Sequence, residues 1–313
     1  MPDLSAPPAR PRGSGFRAPP LPSSGATEQR LEVAVAAIGY LVPCEDFAAR
    51  VHSVFAQACN LQCNDMLLTL CAPRAGDGPA TLRLARGAAE DLRVLFDVGE
   101  RVDCRRGLAR TRRIELRLAG ARVWRPAAPR ALLPGARIDA HLRLACRRVA
   151  ERRRTHTSVV DGDGAPVVAA LAEACRVLDR DAAVQCVHRL IGWGEGLTPA
   201  GDDFLVGLCA GLAALGHRHA RHRAFLDGLA VAVSARVSRT TPIAAHYLRL
   251  AAQGHHTETL LLLRDALLGE PRPERVGAAL DRALDIGATS GADTVTGLLS
   301  GLAAWLPLLR EPA

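Results

Sequence analysis

The spacing of hydrophobic positions divides the chain into two regions with different periods. From residue 31 to residue 133, short apolar runs alternate with turn residues, and a period of two is clearest in Arg112–Leu118. This pattern predicts a mostly antiparallel β domain over residues 29–133. The predicted strands are Leu31–Ile38, Val51–Ala56, Met66–Cys71, Thr81–Ala85, Leu92–Val98, Arg112–Leu118 and Ala121–Trp124.

A helical spacing replaces the short runs after Pro134 and Gly135. Hydroxyl residues followed by proline or an acid mark helix starts at Thr198, Thr241 and Thr257. The predicted fold class is therefore α+β, an N-terminal mostly antiparallel β domain followed by an all-helical C-terminal domain over residues 134–313. The predicted helices are Ala136–Arg154, Ala165–Leu190, Pro199–Leu215, Ala220–Ser238, Pro242–Gln253, Glu258–Leu268, Pro273–Ile286 and Ala292–Leu309.

Composition narrows the class of protein further. The chain has 313 residues, 49% of them apolar, which is enough for two domains with sizeable cores. Residues 1–28 contain seven prolines and predict a disordered tail. All 40 basic residues are arginine, so chemistry that depends on a catalytic or phosphate-binding lysine is excluded.

Cysteine usage and hydropathy predict a cytoplasmic protein. The nine cysteines form no C-x-x-C pair, as expected for buried thiols in a reducing compartment. The N-terminus has no apolar signal region, and no apolar run reaches the roughly 20 residues that a membrane span requires. We therefore expect no membrane partner.

One glycine-rich stretch carries the strongest indication of a ligand site. Gly192, Gly194 and Gly196 alternate before Thr198, a spacing that favours a loop with positive φ or close backbone approach. Pro199 then predicts a helix start, and Gly201, Asp202 and Asp203 fall in its first turn. For Asp202 alone, complementing the helix dipole is an equally good explanation.

The same pattern returns about ninety residues later, from Gly287 to Trp305. Aligning Asp203 with Asp293 places Gly207 on Gly297 and Gly211 on Gly301, and each set of three lies on one helical face. Glycines along one face let two helix backbones approach closely. We therefore predict that the two helices pack through these glycines and bring both carboxylates to one site.

This site has the groups to hold and react with a small anion. Backbone amides in a glycine loop at a helix N-terminus bind phosphate or carboxylate, and paired aspartates accept protons or hold Mg²⁺. The sequence identifies no definite cofactor. Mg²⁺ is the ion that this chemistry could use, and we predict no metal site formed by protein ligands alone. No Walker or dinucleotide motif is present.

Some candidate residues have a structural alternative. Ser290 and Asp293 have the spacing of a capping box, which is a structural explanation for Thr289 and Ser290. Ser53, Asn60 and Asn64 are predicted to be turn residues rather than ligands.

Residues 101–154 contain 17 arginines and four acids. Such a region binds nucleic acid, an anionic substrate or an acidic partner, or forms a solvated face. The stretch has one aromatic residue and no nucleic-acid reader motif, so we expect no nucleic-acid partner.

Three blocks of the sequence resemble a bacterial family that was long catalogued as a domain of unknown function. They are G-E-G-L-T-P-A-G-D-D-F-L-V-G (194–207), T-T-P-I-A-A-H-Y-L-R-L-A-A-Q-G (240–254) and G-A-T-S-G-A-D-T-V-T-G (287–297). The family includes one subunit of the oxamate carbamoyltransferase of anaerobic allantoin breakdown, a purine degradation route. The resemblance implies carbamoyl transfer between carbamoyl phosphate and oxamate, in a complex with two other types of subunit.

The resemblance also implies which residues form the site. The family's first block carries over onto Gly194, Gly196, Thr198, Gly201, Asp202 and Asp203, and its third block onto Thr289, Ser290, Gly291 and Asp293. We predict catalytic roles for the three aspartates and substrate or anion binding for the others. Ala200 and Ala288 replace a serine and a histidine that are common in the family, which bears on the exact substrate.

Two functions follow from these observations. The first is a subunit of a carbamoyltransferase-type enzyme that acts on a small carboxylate such as oxamate or oxalurate, with the anion held by the glycine loop. The alternative is a non-catalytic assembly or regulatory subunit that docks partner chains through the arginine-rich surface of residues 101–154.

Overall fold

The computed structural model describes residues 30–85, 91–127, 132–153, 158, 161–216 and 219–309. The tail predicted over residues 1–28 lies outside these residues. Two hydrophobic cores organise the described part of the chain, one within the β-rich region and one among the helices.

The β-rich region is a barrel. Its strands are β1 Leu31–Gly39, β2 Phe47–Val54, β3 Ala58–Cys63, β4 Met66–Cys71, β5 Thr81–Leu84, β6 Arg101–Arg105, β7 Leu108–Arg110, β8 Ile114–Arg117 and β9 Arg122–Trp124. Their order is β5-β4-β3-β2-β6-β7-β8-β1, and antiparallel pairing of β1 with β5 closes the eight strands into a ring. Strand β9 extends the edge beyond β8 by pairing with the second half of β1.

The predicted fold class is wrong for this region. A mostly antiparallel domain was expected, whereas the barrel is closed and mixed, with parallel pairs β4–β5 and β1–β8. Periodicity shows which face of a strand is buried but not which strand lies beside it, so it carries no information about closure. The two parallel pairs depend on that missing information.

Local strand predictions failed where the apolar run was short or polar. Leu92–Val98 was predicted as a strand, but Leu92–Val94 forms one 3₁₀ turn that Asp91 caps by accepting a hydrogen bond from the Arg93 amide. Strands β3, β6 and β7 were missed. Ser53 and Asn60, predicted to be turn residues, lie inside β2 and β3. Asn64 does lie in a turn, with φ at 50°.

The second region is helical, as expected. Its described α-helices are α1 Gly135–Arg153, α2 Gly164–Val177, α3 Arg180–Leu190, α4 Ala200–Gly216, α5 Ala220–Arg236, α6 Pro242–Ala252, α7 Glu258–Gly269, α8 Pro273–Leu284 and α9 Ser290–Trp305. The single helix predicted over Ala165–Leu190 is two helices. Leu178 adopts a left-handed φ of 59° between them, and Asp179 caps α3 by accepting from the Ala182 amide.

The order and lengths of the helices reveal a duplicated unit. Helices α2, α3 and α4 have 14, 11 and 17 residues, and helices α7, α8 and α9 have 12, 12 and 16 residues in the same order. The third helices of the two units, α4 and α9, pack directly against each other. The repeated glycine pattern in the sequence therefore belongs to a repeat of three helices.

Barrel and helices meet along α6 and α7. The Leu67 amide of β4 donates to His246 Nδ1 of α6 at 3.4 Å, and burial lowers the pKa of that histidine to about 4, helped by the charge of Arg249. The Glu258 amide that begins α7 donates to the Asp77 carbonyl at 2.8 Å. These contacts place the outer face of β4 opposite α6.

Candidate active site at two paired helix N-termini

Helices α4 and α9 contact each other backbone to backbone. A Cβ atom added at Gly207 would overlap the Thr294 carbonyl oxygen, and one added at Gly297 would overlap the Phe204 carbonyl oxygen. Gly211 and Gly301 have the same relation to the Leu298 and Leu208 carbonyls. The predicted packing through these four seam glycines is therefore confirmed.

The symmetry of these contacts also sets the direction of the helices. Gly207 faces Thr294 and Gly297 faces Phe204, and Phe204 and Thr294 are equivalent positions of the repeat. A pseudo-two-fold axis along the seam therefore relates the two sets of contacts. Along both helices residue numbers increase in the same sense, so α4 and α9 are parallel and their N-termini lie at the same end. Two helix dipoles thus present partial positive charge side by side, where negative charge is stabilised.

Asp203 lies at this end and remains partly exposed. Hydrogen bonds from Ser290 and Thr198 reach its carboxyl group, and the two hydroxyls are themselves 2.8 Å apart. Burial raises the pKa of Asp203 from 3.8 to about 7; the two hydroxyls oppose this rise, and the charges of Asp293 and Asp202 add to it. The Oδ2 atom of Asp203 is buried and has no hydrogen-bond partner among the described residues. Its carboxyl can therefore gain or lose a proton near neutral pH.

Asp293, the repeat equivalent of Asp203, is fully buried at 0% exposure. Its Oδ1 accepts a hydrogen bond from the hydroxyl of Ser158, and Ser158 is itself held by its amide, which donates to Asp161 Oδ2 at 2.8 Å. Asp203 and Asp293 occupy equivalent positions in the first turns of α4 and α9, and the charge of Asp293 contributes to the raised pKa of Asp203. No sequence pattern marked Ser158.

Asp202 joins the glycine loop, defined here as residues 192–199, to Thr240 in the segment that leads into helix α6. It is buried at 1% exposure, and its carboxylate accepts hydrogen bonds from the Gly192 amide at 2.9 Å and from the Thr240 hydroxyl. The neighbouring Thr241 hydroxyl donates to the Leu197 carbonyl at 2.5 Å. The geometry gives Asp202 a positioning role, and it explains why the T-T-P block belongs with the loop.

The glycine loop itself is open to solvent. Gly194 and Gly196 have φ values of 106° and 89° and are exposed, and among the described residues their amides have no hydrogen-bond partner. Successive amides in such conformations form concave anion sites. Thr198 does not cap α4, because Pro199 supplies the first accepting carbonyl and the Thr198 hydroxyl bonds Ser290 instead.

The remaining predicted site residues fall into two groups. Gly201 and Gly291 are buried, and an added Cβ would overlap the Leu190 and Ala283 carbonyls, which gives both a packing role. Thr289 and Ser290 begin α9 and are partly exposed. The capping box considered for Ser290 does not form, since Ser290 is the first helical residue and its hydroxyl reaches Thr198 and Asp203.

The arginine-rich surface of residues 101–154 spans two regions, since residues 101–124 carry strands β6 to β9 of the barrel region and residues 135–153 form α1. Several of its arginines are paired with acids, such as Arg101 with Asp103 at 2.8 Å and Arg112 with Asp97 at 2.5 Å. A cavity of about 470 Å³ on this surface is lined by Arg30, Arg101, Asp103, Arg105, Arg110, Thr111 and Arg112. The excess of positive charge around this cavity fits an acidic ligand or partner.

The fold and the site together define a protein of two parts, a mixed β-barrel and a helical region built on a duplicated three-helix unit. Sequence comparison identifies the family. Residues 32–123 match the AllH family N-terminal domain, and residues 190–302 match the family described as oxamate carbamoyltransferase subunit AllH. The chain belongs to the AllH family, which confirms the resemblance inferred from the three blocks.

Two further findings accompany the family assignment. No solved structure matches the chain. Within the described residues, no helix has both the length and the apolar character needed to cross a membrane, and no three His, Cys, Asp or Glu side chains come together as metal ligands.

Proposed function

We propose that this chain supplies the small-molecule site of a carbamoyltransferase, and that the site lies where α4 and α9 begin. The environment of Asp203 carries the proposal. A partly exposed carboxyl group with a pKa near 7, two hydroxyl partners and a second carboxylate nearby is typical of a functional group rather than a structural one. The family name supports the reaction class.

In this proposal the glycine loop holds the carboxylate of oxamate or the phosphate of carbamoyl phosphate. The open amides of Gly194 and Gly196 supply hydrogen-bond donors, and the two helix dipoles add favourable potential. Asp202 keeps the loop in place through Gly192 and Thr240. Thr289 stays a predicted ligand contact at the start of α9.

The proposed reaction is a nucleophilic acyl transfer. The amide nitrogen of oxamate attacks the carbonyl carbon of carbamoyl phosphate, a C–N bond forms, the C–O bond to phosphate breaks, and the nitrogen gives up a proton. Ionised Asp203 would accept that proton, a role suited to a carboxyl group whose pKa is near the working pH. We expect transfer by the assembled enzyme to rise with pH through about 7 and to be lost in Asp203→Asn.

Mg²⁺ would fit this site only together with a phosphate. Two carboxylates do not complete the six oxygen ligands that Mg²⁺ prefers, and the ion is commonly held by one or two carboxylates plus substrate phosphates. We therefore expect Mg²⁺ to strengthen the binding of carbamoyl phosphate and to leave the binding of oxamate unchanged.

Ligand-dependent thermal unfolding tests the location of the site. The panel is oxamate, carbamoyl phosphate and phosphate, each with and without Mg²⁺, and a ligand at 100 times its Kd should add about 2.7 kcal/mol to the free energy of unfolding. Gly196→Ala should abolish this gain, because the new side chain strains the loop.

A matched control separates strain from binding. Gly254, after α6, has a φ of 79° and an equally empty surrounding, so Gly254→Ala carries the same backbone strain outside the loop. This variant should keep the full ligand effect. If both variants respond like the wild type, the glycine loop does not bind the anion.

The second candidate is an assembly subunit that docks acidic partner chains through the arginine-rich surface. The cavity lined by five arginines favours it. In that case the purified chain would respond to none of the anions, and Arg105→Glu would prevent co-purification with partner subunits. Arg221→Glu, an exposed change on α5, is the control.

A further inference from the structure

The glycine loop is tied at its first end to the segment that leads into α6. A Cβ atom added at Gly192 would lie 2.8 Å from the Arg239 carbonyl oxygen, so the two backbones are in close contact. Asp202 adds a second tie, since it accepts hydrogen bonds from the Gly192 amide and the Thr240 hydroxyl. Residues 239–241, which we call the α6 junction, therefore hold the start of the loop.

The far end of the loop is tied to the same α6 junction. The Thr241 hydroxyl donates to the Leu197 carbonyl at 2.5 Å and accepts from the Ala244 amide at 3.1 Å. Both directions are fixed, because a carbonyl oxygen can only accept and an amide can only donate. One hydroxyl therefore caps α6 and holds the loop at the same time.

Capping α6 does not by itself require a hydroxyl group. An N-cap needs only an acceptor, and Asp179 fills that role for α3 by accepting from the Ala182 amide. Threonine adds a proton, which an ionised aspartate lacks. That proton is donated to Leu197, whose side chain is 53% exposed, so apolar packing contributes little to holding this end of the loop.

A second hydroxyl contact holds the next residue of the loop. Thr198 Oγ1 lies 2.8 Å from Ser290 Oγ of α9. Between the tied ends lie the exposed Gly194 and Gly196, whose amides are proposed to hold the anion. A loop that already has its binding conformation avoids the entropic cost of being ordered when a ligand binds.

We propose that Thr241 is a positioning residue of the proposed anion site. Its hydroxyl keeps the glycine loop in the conformation that presents the Gly194 and Gly196 amides to a phosphate or carboxylate. Thr241 acts through Leu197 and does not itself touch the anion. The inference rests on the proposed function and adds the residue through which α6 supports the loop.

Anion binding to the full chain tests the first consequence. Calorimetric titration with oxamate and with inorganic phosphate gives the affinities of wild type, Thr241→Val and Thr241→Ser. Thr241→Val removes the hydroxyl and nearly keeps the shape of the side chain. It should weaken both anions by about fivefold or more, because the loop must then be ordered on binding. Thr241→Ser keeps the hydroxyl and should bind like wild type.

Asp179→Ala is the matched control for the loss of a helix cap. It removes an N-cap hydrogen bond at the start of α3, at the opposite end of that helix from the glycine loop. Asp179→Ala and Thr241→Val should both lower the melting temperature, but only Thr241→Val should weaken anion binding. Equal weakening in both variants would mean that lost stability, and not the position of the loop, is the cause, and it would overturn the inference.

Cleavage of the loop tests the second consequence without a ligand. Glu195 lies exposed in the middle of the loop, where a glutamate-specific protease can cut when the loop leaves its folded conformation. The fragment that ends at residue 195 should form about fivefold faster in Thr241→Val than in wild type. Thr241→Ser and Asp179→Ala should be cut at the rate of wild type.

The two measurements distinguish this inference from the function on which it rests. If wild type binds an anion and Thr241→Val binds it equally well, or more weakly without faster cleavage, the positioning role is wrong and the proposed function stands. If wild type binds neither anion, the proposed function fails, and faster cleavage would leave Thr241 only a structural tie of the loop.

Discussion

The two halves of the duplicated helical unit share a scaffold but differ in chemistry. Each presents an aspartate at the head of a glycine-lined helix, Asp203 in the first half and Asp293 in the second. Asp203 is partly exposed and bonded by hydroxyls from both halves, whereas Asp293 is fully buried and bonded by Ser158 from outside the repeat.

The packing of the two helices is the same in both halves, whereas the surroundings of the two aspartates differ. The seam needs glycine at equivalent positions in both helices, so the symmetry there is complete. The carboxylates need different surroundings if one is to meet a ligand and the other is to support it. The loop before α4 is also longer than the one before α9 and carries the exposed Gly194 and Gly196, whereas the shorter loop has one exposed glycine, Gly287.

The largest expected effect tests the symmetry of the seam. Gly207→Ala and Gly297→Ala should each destabilise the protein by more than about 4 kcal/mol, because the methyl group would overlap a backbone carbonyl that cannot move without separating the helices. Chemical denaturation measures the effect. If only one of the two variants is destabilised, the pseudo-two-fold packing is wrong.

Gly277 provides the control for these substitutions. It lies inside α8, and a Cβ added there meets no atom within 4 Å. Gly277→Ala should therefore stabilise the protein by about 0.5–1 kcal/mol through helix propensity.

The second prediction concerns the carboxylate that the seam brings near the surface. Asp203 has a pKa of about 7 in the folded protein against 3.8 ordinarily, so wild type loses stability as pH rises from about 4 to 7. At about 1.4 kcal/mol per pH unit the loss is at most about 4 kcal/mol. Asp203→Asn should match wild type below pH 4 and be more stable above pH 7.

Thermal unfolding across this pH range measures the difference, with Asp227→Asn on the exposed face of α5 as the control. A difference between Asp203→Asn and wild type that does not depend on pH would mean that Asp203 does not titrate in this range. The difference in exposure between Asp203 and Asp293 would then have no consequence for the protonation of Asp203.

A third, smaller effect is expected at Asp202. Asp202→Ala leaves the Gly192 amide and the Thr240 hydroxyl without their acceptor, at a cost of about 1–3 kcal/mol. Asp202→Asn should cost less, because its amide can accept from Gly192 and donate to Thr240. Equal losses in both variants would show that the charge, and not the hydrogen bonding, holds the loop.

The smallest expected effect distinguishes Ser290, which bonds Asp203, from Ser158, which bonds Asp293. Ser290→Ala removes a hydrogen bond that holds the Asp203 pKa down, so the midpoint of the pH-dependent loss of stability should move up, by about one pH unit or less. Ser158→Ala acts on Asp293 and should lower stability by about 1 kcal/mol. An unchanged midpoint in Ser290→Ala would remove Ser290 from the site.

Local patterns in the sequence were enough to predict the helical region and the seam. Asp203, Gly207 and Gly211 recur at helical spacing and return as Asp293, Gly297 and Gly301, and close backbone packing is the physical consequence of glycine on one face. The break at Leu178 escaped prediction because no glycine or proline marks it.

Tertiary structure decided what the same residues do. Barrel closure depends on which distant strands pair. The pKa of Asp203 depends on burial and on Ser290, 92 residues from Thr198 in sequence, and Asp293 depends on Ser158, 135 residues away. Desolvation and hydrogen bonding come from groups that only folding brings together, so the sequence determined the two repeated helices and the tertiary structure determined which aspartate stays partly exposed.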